Sequence, residues 1–347
     1  MYQTTRRTSC ATTNRCPIDV AVLVPCYNEA ATIGQVVEDF DRVLPSATVY
    51  VYDNNSTDET ARIARDAGAV VVAEPLQGKG NVVRRMFADI EADIYVLIDG
   101  DATYDVSAAP VLIDKMRDDR LDLVNARRVE TKTGAYRPGH RLGNHLLTGL
   151  VAWVFGNRLG DMLSGYKVLS RRFVKSFPAL SAGFETETEL AVHALELGMP
   201  IGEVATDYRE RPPGSESKLH TFRDGLRILK LIAILIKEER PLAFFGGACI
   251  VFIVTSLLIG LPVVLEFFET GAVPRLPTAV LATGIALLGF LSLVCGLVLD
   301  TVTHGRRELR RLHYLAIPSL DAVETSQAAE ATGKVAGPAL RNVAERR

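Results

Sequence analysis

Several common signatures are scarce or missing in this chain, and each absence narrows what it can be. Charge of one sign is lacking: 39 Lys and Arg face 41 Asp and Glu over 347 residues, a formal net charge of −2, so no global field draws the chain to nucleic acid. Cysteine is scarce. Cys10, Cys16, Cys26, Cys249 and Cys295 are the full set, none at metal-ligand spacing and two within apolar runs. That usage fits a reduced, cytosolic compartment better than a disulfide framework. The first 17 residues carry Arg6, Arg7 and Arg15 but no apolar stretch, so they lack the core of a secretory signal and read as a disordered N-terminal tail. No G-x-x-x-x-G-K-[ST] run exists, which excludes a Walker-type phosphate loop.

Apolar character is abundant. Hydrophobic residues make up 48% and the mean hydropathy is +0.15, with the excess after residue 240. A soluble body with a membrane-embedded tail follows. From Ile18 onward short apolar runs alternate with helical periodicity. Strands are expected at Ile18–Val24, Thr48–Tyr52, Ala69–Ala73, Ile94–Ile98 and Asp122–Asn125, and helices at Ala31–Leu44, Asp58–Ala67, Asn81–Ile90 and near Ala109–Arg117. This alternation predicts an α/β, Rossmann-like, mostly parallel, doubly wound sheet, in which ligands bind at the carboxyl ends of the strands. Residues 140–215 depart from the pattern, with helices at Leu142–Phe155 and Thr186–Leu197, a helix start at Ser170, a strand at Ile201–Tyr208 and Gly- and Ser-containing turns between. They would form the other wall of a cleft, so the globular body spans 18–218.

Residues 219–240 read as an amphipathic helix, with Arg223, Arg227, Lys230 and Lys237 beside Phe222, Leu226 and Leu229. Such a helix either lies in a membrane interface or packs on the soluble body, and both readings stay open. Within 241–303, Leu242–Leu265 and Leu276–Leu299 are free of charge. Each would be about 36 Å long as a helix, against a bilayer core of ~30 Å, so both are expected to cross a membrane. Outside the pair lie Lys237, Arg240, Arg306, Arg307, Arg310 and Arg311. By the positive-inside rule the body and both termini face the cytoplasm of a multi-pass protein of the cell membrane. Residues 304–347 are basic and then, from about Ser319, rich in Ala, Glu and Arg, which predicts disorder. The two apolar helices could also pack between copies as a homo-oligomer.

Four clusters fall at the predicted strand ends. Asp99-Gly100-Asp101 places two carboxylates where both reach one hard cation, Mg²⁺ or Mn²⁺, able to bridge a diphosphate; the plain alternative is an Asp-Gly turn. Asp53-Asn54-Asn55-Ser56-Thr57-Asp58 offers Asp53 to a base or ribose and Ser56 or Thr57 as a helix cap. Pro25-Cys26-Tyr27-Asn28-Glu29 offers Tyr27 for stacking and Glu29 as an acceptor, or is only a strand-to-helix turn. Gly78-Lys79-Gly80-Asn81 lets backbone and Lys79 approach a phosphate, or is an exposed turn. Further on, Asp161–Lys167, Gly183-Phe184-Glu185-Thr186-Glu187 and Tyr208–Lys218 look like mobile loops that close over a substrate. Arg127, Arg128, Arg137 and Arg141 form a basic set suited to a phosphate; Arg127, at a strand end, and Arg141, opening the next helix, are favoured, with Arg209 beyond them.

Taken in order over about residues 18–240, Val24–Glu29, Asp53–Thr60, Gly78-Lys79-Gly80, Asp99-Gly100-Asp101, Ser164-Gly165-Tyr166-Lys167, Gly183-Phe184-Glu185 and Ser217-Lys218-Leu219 resemble family 2 glycosyltransferases of the GT-A fold. The nearer likeness is to the polyprenyl-phosphate branch, similar to dolichyl-phosphate mannosyltransferases and bactoprenol glucosyltransferases, whose bacterial members also carry two C-terminal membrane helices. The resemblance implies an inverting hexosyltransferase at the cytoplasmic membrane. Pro25, Tyr27, Glu29, Asp53, Lys79, Gly100, Glu185 and Lys218 would hold the nucleotide-diphospho-sugar donor, UDP- or GDP-linked. Asp99 and Asp101 would bind Mg²⁺ or Mn²⁺ and the diphosphate. Arg127, Arg141 and Arg209 would bind the phosphate of the polyprenyl acceptor, and Gly214–Leu219 would close on the donor. The chain departs from the pattern at Asn54, where many relatives have an acid, and at Thr103, often Gln. A hydroxyl acceptor, served by Glu185 or Glu187 as base, and a non-catalytic nucleotide-sugar-binding scaffold are the alternatives; a sugar-1-phosphate nucleotidyltransferase would want a Gly- and Lys/Arg-rich loop after the first strand.

Overall fold

The computed structural model describes residues 18–130, 160–179, 186–209 and 240–331, together with Ile234 and Lys237. The expected helix at Leu142–Phe155, the closing loop at 214–219 and, apart from Ile234, Lys237 and Arg240, the expected helix at 219–240 lie outside them. The chain divides into two compact units, Met1–Lys218 with His313–Arg347, and Leu219–Leu312.

In the first unit seven strands form one sheet in the order β3-β2-β1-β4-β6-β5-β7. They are β1 Val20–Cys26, β2 Thr48–Asp53, β3 Val70–Ala73, β4 Ile94–Leu97, β5 Leu123–Glu130, β6 Lys167–Ser170 and β7 Ile201–Tyr208. Helices α1 Ile33–Val43, α2 Thr60–Asp66, α3 Lys79–Asp89, α4 Ala109–Asp118, α5 Arg171–Ser176 and α6 Thr186–Leu197 flank it. Successive strand side chains point to opposite faces, so each apolar strand feeds two cores. Val22, Val24, Val96 and Val168 pack with Phe40 of α1 and Leu112 and Met116 of α4. Leu23, Leu97 and Leu169 pack on the other face with Met86 of α3, Phe173 of α5 and Leu190 of α6. Ser170 caps α5, accepting from the Phe173 amide at 3.2 Å.

The sheet differs from the expected one in two places. Strand β6 is antiparallel to both neighbours, β4 and β5. The segment leading into it is no mobile loop: Ser164 and Tyr166 are fully buried and Lys167 is 1% exposed. A lysine at the head of a four-residue strand hides the apolar run that would have marked it. Strand β5 runs to Glu130, because β7 pairs with it in parallel along its whole length. Arg127 and Arg128 are therefore in the sheet, on opposite faces.

In the second unit α7 Pro241–Thr270 and α8, which runs from Leu276 to Ala316, contain the two charge-free runs, and both are long and apolar enough to cross a membrane. Gly271, at φ 68°, ends α7. Ser256 Oγ donates to the Ala282 carbonyl at 2.7 Å and Ser292 Oγ to the Phe245 carbonyl at 3.1 Å, so the two helices run antiparallel. Gly289 and Gly296 let them approach: an added Cβ would lie 3.2 Å from Ile253 Cδ1 and 3.0 Å from Phe245 Cβ. The outer faces are apolar and exposed, Leu258 by 72% and Phe268 by 79%.

Back in the first unit, part of the segment expected to be disordered is a helix, α9 Leu320–Ala331. Ion pairs hold it, Arg120 Nε to Asp321 Oδ2 at 2.9 Å and Arg117 Nη2 to Glu324 Oε1 at 3.0 Å, and Leu320 packs against the sheet core. Just before it, the Tyr314 hydroxyl donates to Asp122 Oδ2 at 2.5 Å. Composition does not record such tertiary partners, which here are two ion pairs and one apolar contact.

Candidate active site

The polar clusters gather where β1, β2 and β4 end. After β1 the chain turns through Asn28 at φ 53°, a conformation Asn tolerates. Its amide donates to Ser56 Oγ at 2.9 Å and its Oδ1 accepts from the Thr57 amide at 2.8 Å. Ser56 and Thr57 thus clamp two loops rather than cap α2, whose first residue, Thr60, donates from its amide to Asp58 Oδ1 at 3.0 Å. Glu29 is buried, with its amide donating to Thr60 Oγ1 at 2.8 Å, and Tyr27 stands 37% exposed at the edge. Asp53 ends β2, and its Oδ1 is buried with no hydrogen-bond partner among the described residues.

Asn54 explains its own departure from an acid. It is buried, its Nδ2 donates to the carbonyls of Glu74 and Leu76 at 2.9 and 2.8 Å, and its Oδ1 accepts from the Gly78 amide at 2.7 Å. An aspartate could not donate those two bonds. Asn54 therefore ties the Gly78-Lys79-Gly80 turn to the end of β2. Gly78, at φ 129°, needs to be glycine, and Lys79 opens α3.

Asp99-Gly100-Asp101 follows β4. Gly100 lies so close to β1 that a Cβ would sit 2.7 Å from Cys26 Sγ, and its carbonyl accepts from Thr32 Oγ1 at 2.7 Å. Asp101 is 4% exposed, and its Oδ1 accepts from the Thr103 hydroxyl at 2.6 Å and amide at 3.2 Å. Thr103 thus orients the second carboxylate. Between them Ala102 sits at φ 55°, a strained conformation for a residue with a Cβ. Asp99 is packed against Gly165, in the bend that leads into β6; a Cβ there would lie 2.1 Å from Asp99 Oδ2. The Gly165 amide donates to the Tyr104 hydroxyl at 2.7 Å, and the Tyr104 ring meets Tyr166 and Tyr208 edge-on, at 5.7 and 5.2 Å.

Charged groups line the same end. The Lys79 ammonium donates to both Asp99 and Glu187. Burial alone would lower its pKa, but the two carboxylates outweigh that and raise it, so Lys79 is a fixed cation. Lys167 Nζ donates to Asn125 Oδ1 at 2.8 Å; burial pulls its pKa down to about 8, against the opposing pull of Asp161 and Glu187. Arg128 forks onto Asp161, at 2.7 and 2.8 Å, with its guanidinium 5.5 Å from the Tyr208 ring centre. Although burial opposes it, that pairing holds the Asp161 carboxyl below its usual range. Burial, and then Asp101, push the Tyr208 hydroxyl up.

Residues 21–175 match the family described as Glycosyl transferase family 2. The glycosyltransferase AglJ of Haloferax volcanii is 33% identical over 86% of this chain and 99% of its own length. The chain belongs to glycosyl transferase family 2. The dolichyl-phosphate hexose transferase of Haloferax volcanii is 31% identical to this glycosyltransferase, over 64% of this chain and 96% of its own length. Among solved structures, glucosyl-3-phosphoglycerate synthase from Mycobacterium tuberculosis, in complex with Mn²⁺, UDP and glucosyl-3-phosphoglycerate, superposes with a TM-score of 0.51 at 26% identity. The match covers 63% of this chain and 79% of that one.

Of the residues expected in the transferase's site, Pro25, Tyr27, Glu29, Asp53, Lys79, Asp99, Gly100 and Asp101 lie on the loops and termini at the carboxyl ends of β1, β2 and β4 and the start of α3. Arg127 is exposed and has no ion pair among the described residues, whereas Arg128 is committed to Asp161. Arg209 is exposed, its amide donating to the Thr103 carbonyl at 2.8 Å. Arg141, Glu185 and Lys218 lie outside the described residues. Reading by motif missed Tyr104, Asn125 and Glu203, whose Oε1 accepts from Asn125 Nδ2 at 2.9 Å, and gave no role to Glu187 as the partner of Lys79. Of these, Asn125 carried a local signal, as a polar residue inside an apolar strand.

Asp99 and Asp101 are oxygen donors of the kind a hard divalent cation takes. No cluster of three His, Cys, Asp or Glu suited to a metal exists among the described residues, so Asp99 and Asp101 would bring two carboxylates and leave the other positions to phosphate oxygens and water. That is how Mg²⁺ is commonly held, by one or two carboxylates plus substrate phosphates.

Proposed function

We propose that this glycosyltransferase moves a hexose from a nucleoside-diphosphate sugar, UDP- or GDP-linked, to a polyprenyl phosphate at the cytoplasmic face of the membrane, with inversion at the anomeric carbon. The observation that carries the reading is an Asp-Gly-Asp turn at the carboxyl end of β4 in a chain that also has two membrane-length apolar helices. The dolichyl-phosphate hexose transferase among its relatives supports the same acceptor.

In this reading Asp99 and Asp101 hold Mg²⁺ or Mn²⁺, which supplies Lewis-acid stabilisation of the departing diphosphate. Pro25, Tyr27, Glu29 and Asp53 hold the nucleotide, and the unpartnered Asp53 Oδ1 is the acceptor for a base N–H or ribose O–H. Arg127, with Arg141 and Arg209, takes the lipid phosphate, while Lys79, Gly100, Glu185 and Lys218 serve the donor. A phosphate oxygen bonds to the anomeric carbon as the bond from that carbon to the diphosphate oxygen breaks, and the nucleoside diphosphate leaves. A phosphate monoester is already mostly ionised at pH 7 and needs no general base. Glu187, one of the two residues that could serve a hydroxyl acceptor as base, is engaged by Lys79.

The test is a panel of labelled UDP- and GDP-hexoses with short-chain polyprenyl phosphate, diacylglycerol and oligosaccharide acceptors, with Mn²⁺ or Mg²⁺. Label is expected in the polyprenyl phosphate alone; label in diacylglycerol with polyprenyl phosphate inert refutes the acceptor. Asp101→Ala is expected to abolish transfer in a protein that still folds in membranes, and near-normal turnover with metal present would defeat the metal assignment.

A further inference from the structure

Lys79 does more at this site than a metal-and-diphosphate reading uses. It reaches two carboxylates from opposite sides of the sequence, Asp99 after β4 and Glu187 in α6. The three side chains are mostly enclosed, with 11% of Lys79, 29% of Asp99 and 9% of Glu187 exposed. The lysine's backbone is anchored through the Gly78 amide on Asn54, but its four-carbon stem ends in a cation that can turn between acceptors. No carboxylate oxygen serves an ammonium and a divalent cation at once without bringing like charges within a few Å.

We propose that Lys79 is an internal counter-cation that occupies Asp99 when no divalent ion is present and withdraws to Glu187 and the donor's diphosphate when the ion enters. The inference rests on the reading of Asp99 and Asp101 as the metal pair. Glu187 is then a positioning residue: it keeps the withdrawn ammonium paired, where an unpaired buried charge would be costly. The diphosphate supplies the second anion. Metal alone must displace a cation from its ligand, whereas metal with a nucleoside diphosphate gives that cation a new partner. The two ligands therefore favour each other's binding, and by linkage the effect is mutual.

The test is Mn²⁺ binding to the purified full-length protein in detergent, read from the free-Mn²⁺ electron paramagnetic resonance signal with and without UDP or GDP. Lys79→Met is expected to bind Mn²⁺ alone about tenfold more tightly than wild type, the scale set by like charges a few Å apart. It should also bind the nucleotide more weakly, so that the gain in Mn²⁺ affinity on adding nucleotide shrinks. Lys79→Gln, which keeps a donor without charge, should do the same and covers a failure of the Met variant to fold. Lys79→Arg should keep the wild-type pattern. A merely structural lysine predicts the opposite sign, since its loss would disorder Asp99. Unchanged or weaker Mn²⁺ binding without nucleotide in both neutral variants overturns the proposal. Wild-type protein that binds no Mn²⁺ with either nucleotide overturns the metal pair itself.

Discussion

Gly165→Ala adds a single methyl group and tests the geometry of the proposed catalytic edge. The new Cβ would lie 2.1 Å from Asp99 Oδ2 and 2.8 Å from its Cγ, so something must move. The backbone has little freedom to retreat. The Gly165 amide is bound to the Tyr104 hydroxyl at 2.7 Å, and Ser164 and Tyr166 on either side are fully buried. Asp99 must therefore rotate away, off a favoured rotamer at about 0.5–1.5 kcal/mol and out of its contact with Lys79. With the crowding itself, about 1–3 kcal/mol of stability is expected to be lost, or a fall in Tm of roughly 2–10 °C for a domain of this size. The effect on catalysis is larger. A carboxylate displaced by ~1 Å costs about 10²-fold in rate, near 3 kcal/mol in the barrier. Hexose transfer in detergent-solubilised protein at saturating Mn²⁺, beside a thermal melt, reads both quantities. Gly165→Ala with transfer within twofold of wild type would falsify the argument that the approach of β6 positions Asp99. A melt showing global unfolding would instead make the contact structural.

The remaining predictions concern buried polar groups. Lys167 titrates near 8 when folded against 10.5 for a free lysine, a cost of about 3 kcal/mol. Below pH 8 both states hold the proton and the cost is fully present; from 8 to 10.5 the folded chain releases it first, so this group makes stability rise with pH. Denaturant melts at pH 7.5 and 9.5 should show a more positive pH slope in wild type than in Lys167→Met; equal slopes refute the burial argument. Tyr314→Phe removes the donor to Asp122, which keeps Ser170 and Arg172 at 2.6 and 2.7 Å, and should cost about 1.5–3 kcal/mol in a thermal melt; an unchanged Tm refutes the bond. Asn54→Asp keeps the shape but strands the carbonyls of Glu74 and Leu76, so about 1–3 kcal/mol of stability should go and the KM for the donor should rise as the Lys79 turn loosens. An unaltered KM would remove Asn54 from any part in holding that turn.

The sequence by itself determined what depends on neighbours along the chain. Strands β1, β2 and β4 are legible because an apolar run buried on both faces has no other stable place, and Asp99-Gly100-Asp101 is legible because its two carboxylates share one turn. The two membrane-length helices follow from length and lack of charge. What only tertiary structure decided are the contacts between distant segments. Lys79 meets Glu187 across 108 residues and Tyr314 meets Asp122 across 192. Strand β6, headed by a buried lysine, carries no apolar alternation, so neither its antiparallel place beside β4 nor the approach of Gly165 to Asp99 is written in local pattern. The physical reason is that periodicity records which face of an element is buried but not which element covers it. The partners of a buried charge are chosen by strand order, and strand order is set by the packing of the whole sheet.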